Sequence, residues 1–279
     1  MDFEKLVRLN PLNDFAFQKA MGEKGDEPQL IAFLSAVLER TGKGDITSVK
    51  IIENKDLMPD IVGGKSVRLD VLAEAFVKTE RLDTDIEVQI KNEFNMEKRS
   101  LYYWASRYIN NLDSGKDYAI LPTVVAVNII GFGYFPIMDY HTSFHLWEDR
   151  HKELQLTDVC EIHFLDIVKF RKLRAKKGFS LDDPLNRWMV YFDKKSPQKM
   201  ITEVLQMDET IQQFQEKLEW INRDKVMMRI YDQYEKTERD WISSMNGAER
   251  KGRAEERAEI TALLKQGVSL EELKARYGV

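Results

Sequence analysis

The sequence predicts an α/β fold with a helical C-terminal extension. Three observations carry that expectation. Polar and apolar residues alternate with period two in stretches between residues 48 and 90. An apolar run from Ala119 to Phe132 reads as a central strand buried on both faces. From Pro184 onward the composition is mostly helical.

Taken in order, "NPLNDFAFQKAMG" (Asn10–Gly22) reads as a loop entering a short helix, capped by Asn13 or Asp14 and anchored by Phe15 and Phe17. Residues 28–40 form a second helix: Pro28 suits its start, and Leu30, Ile31, Leu34, Val37 and Leu38 fall on one face. Strands follow at Ser48–Glu53, Val67–Ala75 and Asp85–Ile90, the last two joined across the polar stretch "FVKTERLDT". A helix from Met96 to Leu112 repeats Leu101, Trp104, Ala105, Tyr108 and Leu112 at apolar spacing, and Gly115 stops it. Beyond the central strand, Ser143–Trp147 and Glu161–Asp166 read as strands. The basic segment "KFRKLRAKKG" carries six Lys/Arg within Lys169–Lys177; it reads as a charged linker or as a contact for DNA phosphates. Leu185, Trp188, Met189 and Phe192 make a helical stripe. The tail reads as helix, Gly267 turn and a last helix opened by a capping box from Ser269 to Glu272. The expected division is a domain over residues 1–195 and a helical extension over 196–279.

Composition narrows the function classes. A net charge of −5 argues against binding nucleic acid by bulk electrostatics, so such binding needs a local patch or a metal. The single cysteine, Cys160, permits no intramolecular disulfide and fits a cytoplasmic protein. The first residues lack the apolar core of a signal peptide, and the 119–132 run is too interrupted for a membrane span. The four histidines are scattered without a CxxC partner, as expected of ordinary surface or core residues.

Carboxylates inside strands need a reason. Side chains alternate along a strand, so Asp70 shares a face with Arg68, Leu72 and Glu74, and Glu87 shares one with Asp85, Gln89 and Lys91. If the two strands pair, Asp70 and Glu87 converge. Carboxylates brought together repel unless a cation lies between them, and oxygen ligands of this kind suit Mg²⁺ or Mn²⁺. A solvated sheet face shows the same alternation.

A carboxylate in one strand, Glu-x-Lys or a variant in the next, and a helix after it resemble the layout of the PD-(D/E)XK nuclease superfamily. The wording resembles its Rpn branch of recombination-promoting nucleases and transposase-like proteins. "NDFAFQKAM", "LDVLAEA", "DIEVQ", "RSLYYWASRY", "SGKDYAILPTVVAVNII", "EIHFLDIVKF", "LNRWMVYF" and "KQGVSLEELKARYG" carry the likeness in order, from about Asn10 to Gly278.

The resemblance implies a mixed sheet flanked by helices and a metal-dependent DNA endonuclease linked to recombination or mobile elements. It assigns Asp70 and Glu87 as ligands of Mg²⁺ (or Mn²⁺). Gln89 stands where many superfamily members have Lys; it can orient water or touch phosphate but cannot replace a charge. Lys91, on the same strand face, can supply that charge or be an exposed strand end. Asp14 and Glu27 are candidate accessory acids, although both also suit helix starts. Arg99 and Tyr103 match the family's helix as phosphate contacts; Arg107, one turn further on, is the weaker candidate. Implied partners are DNA and a second copy joined through the C-terminal helices, with no membrane. The alternative is a catalytically weak or inactive nuclease-fold module that binds DNA or protein.

Overall fold

The computed structural model describes residues 8–52 and 70–277. The expected strand residues Val67–Leu69 and Glu53 fall outside that range. Helices α1 (Asp14–Met21) and α2 (Glu27–Leu38) come first. Asn13 is the cap of α1: its side chain accepts from the Ala16 N–H at 3.2 Å, which leaves Asp14 as the first helical residue. Pro28 sits in the first turn of α2, where its missing N–H costs nothing.

Among the described residues, six strands form one mixed sheet: β1 (Ile46–Ile52), β2 (Val71–Val77), β3 (Glu80–Gln89), β4 (Thr123–Ile130), β5 (His141–Trp147) and β6 (Gln155–Asp166), in the order β1-β2-β3-β4-β6-β5. The run β3-β4-β6 is parallel and the other pairings are antiparallel. Parallel neighbours need a crossover, and α3 (Met96–Asn110) supplies the one between β3 and β4. All eight residues of β4 are buried, as its apolar run predicts.

Each strand face has its own partner. Val71, Ala73, Ala75, Leu82, Ile86, Val88, Val125, Val127 and Ile129 pack into the main core with α1, α2, α4 (Ile167–Arg174) and α5 (Pro184–Phe192). Rings fill its centre: Phe33 meets Trp188 at 5.7 Å and Phe192 at 5.5 Å, both edge-on. The expected stripe on α5 is fully buried. Helices α6 (Gln198–Met207) and α7 (Glu209–Arg223) add Ile201, Val204, Ile211, Phe214, Leu218 and Ile221 to the same core. Packing therefore divides the chain after Tyr231, into Met1–Tyr231 and Asp232–Val279, later than the 195/196 division read from composition.

Helix α8 (Lys225–Lys265) runs across that division, and α9 (Leu270–Tyr277) follows it. Gly267 takes the expected left-handed turn at φ +86°, and Ser269 and Glu272 cap each other reciprocally. No helix of the described residues is long and apolar enough to cross a membrane.

Three expectations need correction. The connection between β2 and β3 is only the two-residue turn Lys78–Thr79, with Lys78 at φ +56°; β3 begins at Glu80, not Asp85. Its early acid, Asp83, looks like loop composition but is buried against Arg107 of α3. Helix α3 also buries a different face. Leu101 is 52% exposed and Ile109 64% exposed, whereas Ser100 and Arg107 are buried. The sheet below this helix is mixed: Met96 and Trp104 pack on Ala126, Ile130, Cys160 and Phe164, while Arg107 turns inward to the acid Asp83 on β3. Finally, the basic segment is not a linker. Lys169–Arg174 lies in α4, where Arg171 and Arg174 both bind the fully buried Asp193, at 2.7 and 2.9 Å, and the rest forms the turn after it.

Candidate active site

The carboxylate face of β3 is the second side of the sheet, covered by α3. The β2–β3 register pairs Val71 with Ile86 and Leu72 with Asp85. Continued by one residue, it sets Asp70 opposite Glu87. Asp70 is not itself a strand residue. It lies in a bend immediately before β2, and its Oδ2 accepts from the Val88 N–H at 2.6 Å. That bond fastens Asp70 to the strand that carries Glu87.

The pair is electrostatically unsettled. Burial, then the charges of Glu87 and Asp14, push the Asp70 carboxyl well above the usual carboxylate range, against the Val88 N–H and Arg99. Burial likewise pushes Glu87 up to about 8, with Asp85 and Asp14 adding to it and Arg99 opposing. Glu87 is 4% exposed, and its Oε2 has no hydrogen-bond partner. Arg99 reaches Glu87 Oε1 in an ion pair, holds Glu93 at 3.6 Å and lies over the Tyr103 ring at 5.2 Å. Burial and the Glu87 charge also raise the Tyr103 hydroxyl.

The remaining sequence candidates divide. Asp14, at the first position of α1, is near enough for its charge to act on both carboxylates. Glu27 is taken up by its own turn: its Oε2 accepts from the Gly25 N–H at 2.7 Å. Gln89 shares the Glu87 face and is buried, and its Nε2 donates to the Lys91 carbonyl at 2.8 Å. Lys91 lies just past the end of β3, in the bend that follows.

Sequence reasoning passed over Asp85 and gave Arg107 a different role. Asp85 is buried, its Oδ1 lacks a partner, and burial lifts its carboxyl to about 7, with Arg107 opposing and Asp83 adding. Its signal was visible as the unbroken period-two series Asp83, Asp85, Glu87. Arg107, the weaker candidate, is 7% exposed and pairs with Asp83, which also accepts from Asn111. This network anchors α3 over the acidic face. Ser100 adds a hydrogen bond to Asn128 Oδ1 at 2.8 Å, on the strand beside Glu87.

Among the described residues, no three His, Cys, Asp or Glu side chains form a ready metal-holding cluster. A divalent cation nevertheless fits the chemistry of the pair. Asp70 and Glu87 offer two carboxylates, Glu87 Oε2 is a buried acceptor without a donor, and Mg²⁺ commonly binds through one or two carboxylates while keeping several waters.

A mixed sheet with strand-end carboxylates under a basic helix defines a nuclease-type fold. The family described as PD-(D/E)XK nuclease family transposase matches residues 11–248, and the chain belongs to it. Nucleases of this kind generally use divalent metal ions. No curated protein and no solved structure matches the chain.

Proposed function

We propose that the protein is a metal-dependent DNA endonuclease of the Rpn branch, acting in the cytoplasm in recombination or on mobile elements. The observation that carries this reading is the pairing of half-buried Asp70 with buried Glu87, both pushed toward protonation and Glu87 short of one hydrogen-bond donor. Asp70 and Glu87 would hold Mg²⁺ or Mn²⁺, with Asp14 adding negative potential. When bound, the cation supplies Lewis-acid activation of water and offsets charge developing at phosphorus.

The chain's own groups do the rest. Arg99, which pairs with Glu87 here, would present its planar fork to the scissile phosphate. Tyr103 keeps the guanidinium in place through ring stacking. Gln89 has its amide nitrogen fixed by the Lys91 backbone carbonyl, which leaves its oxygen to accept a hydrogen bond from the attacking water and so orient it. Lys91 contributes positive charge beside the phosphate. The products would carry a 5′-phosphate.

A second reading, a nuclease-fold module that binds DNA or protein without cutting, draws support from the Arg99–Glu87 ion pair, which occupies one proposed ligand. Plasmid nicking separates the two. Purified protein is incubated with supercoiled plasmid in Mg²⁺, Mn²⁺ or EDTA, beside Asp70→Ala and Glu87→Ala. Metal-dependent nicking lost in both folded variants supports the enzyme. DNA binding without cleavage supports the module. Assembly through the C-terminal helices is tested by light scattering on the full chain and a chain ending at Asn246; equal oligomeric states refute it.

A further inference from the structure

A small open cleft of about 170 Å³ lies between α4 and the segment leading into β5, apart from the carboxylate pair. Arg40, Lys169, Lys172 and Lys176 line it, with Tyr140 and a single acid, Asp139. We propose that this cleft seats a backbone phosphate of bound DNA, flanking the one to be cut. The inference rests on the nuclease reading for its choice of ligand.

The structure separates structural from available charge in the basic segment. Arg171 and Arg174 are neutralised by Asp193. Lys169 is buried, with its ammonium 3.6 Å from Asp166 and 5.9 Å from the centre of the Phe135 ring. Lys172 and Lys176 are exposed and make no ion pair among the described residues. Lys172 stands in the last turn of α4 and Lys176 in the turn just past its end, and both line the cleft. Arg40 comes from a different part of the chain. Its guanidinium lies 5.3 Å from the Tyr140 ring centre, and it reaches the Asp183 carboxylate only at 4.0 Å. Tyr140 is fixed in turn by its hydroxyl on Asn186 Oδ1 at 2.9 Å. Elements distant in sequence thus bring cations to one concavity, and this composition selects a phosphate.

Topology ties the cleft to the site. The parallel registers align Gln89 with Ile130 and Ile130 with Asp166. Asp166 caps α4, accepting from the Lys169 N–H at 2.9 Å. The helix therefore starts two strand spacings, roughly 10 Å, from the end of the strand that bears Glu87. One strand of a duplex presents a phosphate every ~3.4 Å along its axis. A duplex lying across this sheet edge would put a phosphate at the cleft a few nucleotides from the metal site.

The test is fluorescence anisotropy of a labelled DNA duplex with full-length protein in EDTA, so that no cleavage is needed. The Lys172→Ala/Lys176→Ala double variant should keep its melting temperature, because both side chains are exposed. Its affinity should fall several-fold, and the slope of log affinity against log salt should shrink by about 0.9, the amount for one phosphate no longer neutralised. Arg40→Ala should weaken binding in the same direction. Unchanged affinity and slope in the double variant overturn the cleft, whatever the plasmid assay shows. Absence of duplex binding by the parent chain also overturns it. Inorganic phosphate that binds the parent but not the double variant, with duplex affinity unmoved, assigns the cleft to free phosphate and removes DNA from it. Conversely, a double variant with weakened binding upholds the cleft even if no plasmid is nicked and the nuclease reading fails.

Discussion

Glu161 and Glu87 are both buried glutamates on strands of one sheet, and their surroundings push them in opposite directions. Glu161 is 0% exposed, and burial alone would raise it. His163 at 2.8 Å, Lys43 at 2.8 Å and the Thr41 hydroxyl outweigh that cost and bring it down to about 2. His163 passes the chain on to His141 at 2.9 Å, so two histidines that look unrelated in sequence form one buried network. Glu87, nearly as buried, has one ion-pair partner, an unpartnered oxygen and other acids nearby, and it rises to about 8. Burial of a carboxylate does not mark a site. A buried carboxylate whose demand for positive charge is unmet is a candidate for one.

The largest expected contrast is in activity. Glu87→Gln should lower metal-dependent nicking roughly a thousandfold or more, since it removes a ligand from charge stabilisation of several kcal/mol. Glu161→Gln, assayed below its melting temperature, should stay within a few-fold of the parent. Equal losses in both would erase the distinction.

Stability should show the reverse order. Glu161→Ala leaves Lys43 and His163 without their partner, and denaturant titration should read a loss of about 3–5 kcal/mol. Glu87→Gln in EDTA should be neutral or stabilising near pH 8, because it removes a charge that the fold accommodates poorly.

The pH dependences should have opposite signs. Glu87 is raised from 4.5 to about 8, so the native state binds more protons than the unfolded one between those values. Stability in EDTA should therefore fall as pH rises through that window, and Glu87→Gln should flatten the fall in melting temperature. Glu161 is lowered from 4.5 to about 2, so its contribution is present above the usual range and disappears as pH drops toward 2. Added Mn²⁺ should raise the melting temperature more at pH 8 than at pH 6, because binding must displace protons from the pair.

The smallest contrast sits in two adjacent residues. Asn13→Ala removes the α1 cap and should cost about 1 kcal/mol, with Mn²⁺ affinity unchanged. Asp14→Asn should leave stability nearly unchanged and weaken Mn²⁺ several-fold by calorimetry. If the two variants behave alike, Asp14 is only a helix start.

Much of this was legible in the sequence because strand alternation is a local signal. Val71 and Ala73 face the core, while Leu72, Asp85 and Glu87 face the other way, as period two requires. The eight buried residues of β4 announced themselves by composition alone. What stayed hidden depended on pairing across distance. The exposed Leu101 and the buried Arg107 depart from the usual reading of an amphipathic helix, because α3 covers the acids of β3 as well as an apolar patch of β4 and β6. Likewise, the segment Lys169–Lys177 shows its charge in the sequence but not the Asp193 that neutralises two of its arginines.

Sharing of one divalent cation by Asp70 and Glu87 is the claim on which the rest depends. Crystals soaked in Mn²⁺ and measured for anomalous scattering test it most directly. The expected result is a single strong peak at coordination distance from both carboxylates, with Arg99 moved off Glu87. Saturating Mn²⁺ with no peak there, and Arg99 still paired to Glu87, would contradict it.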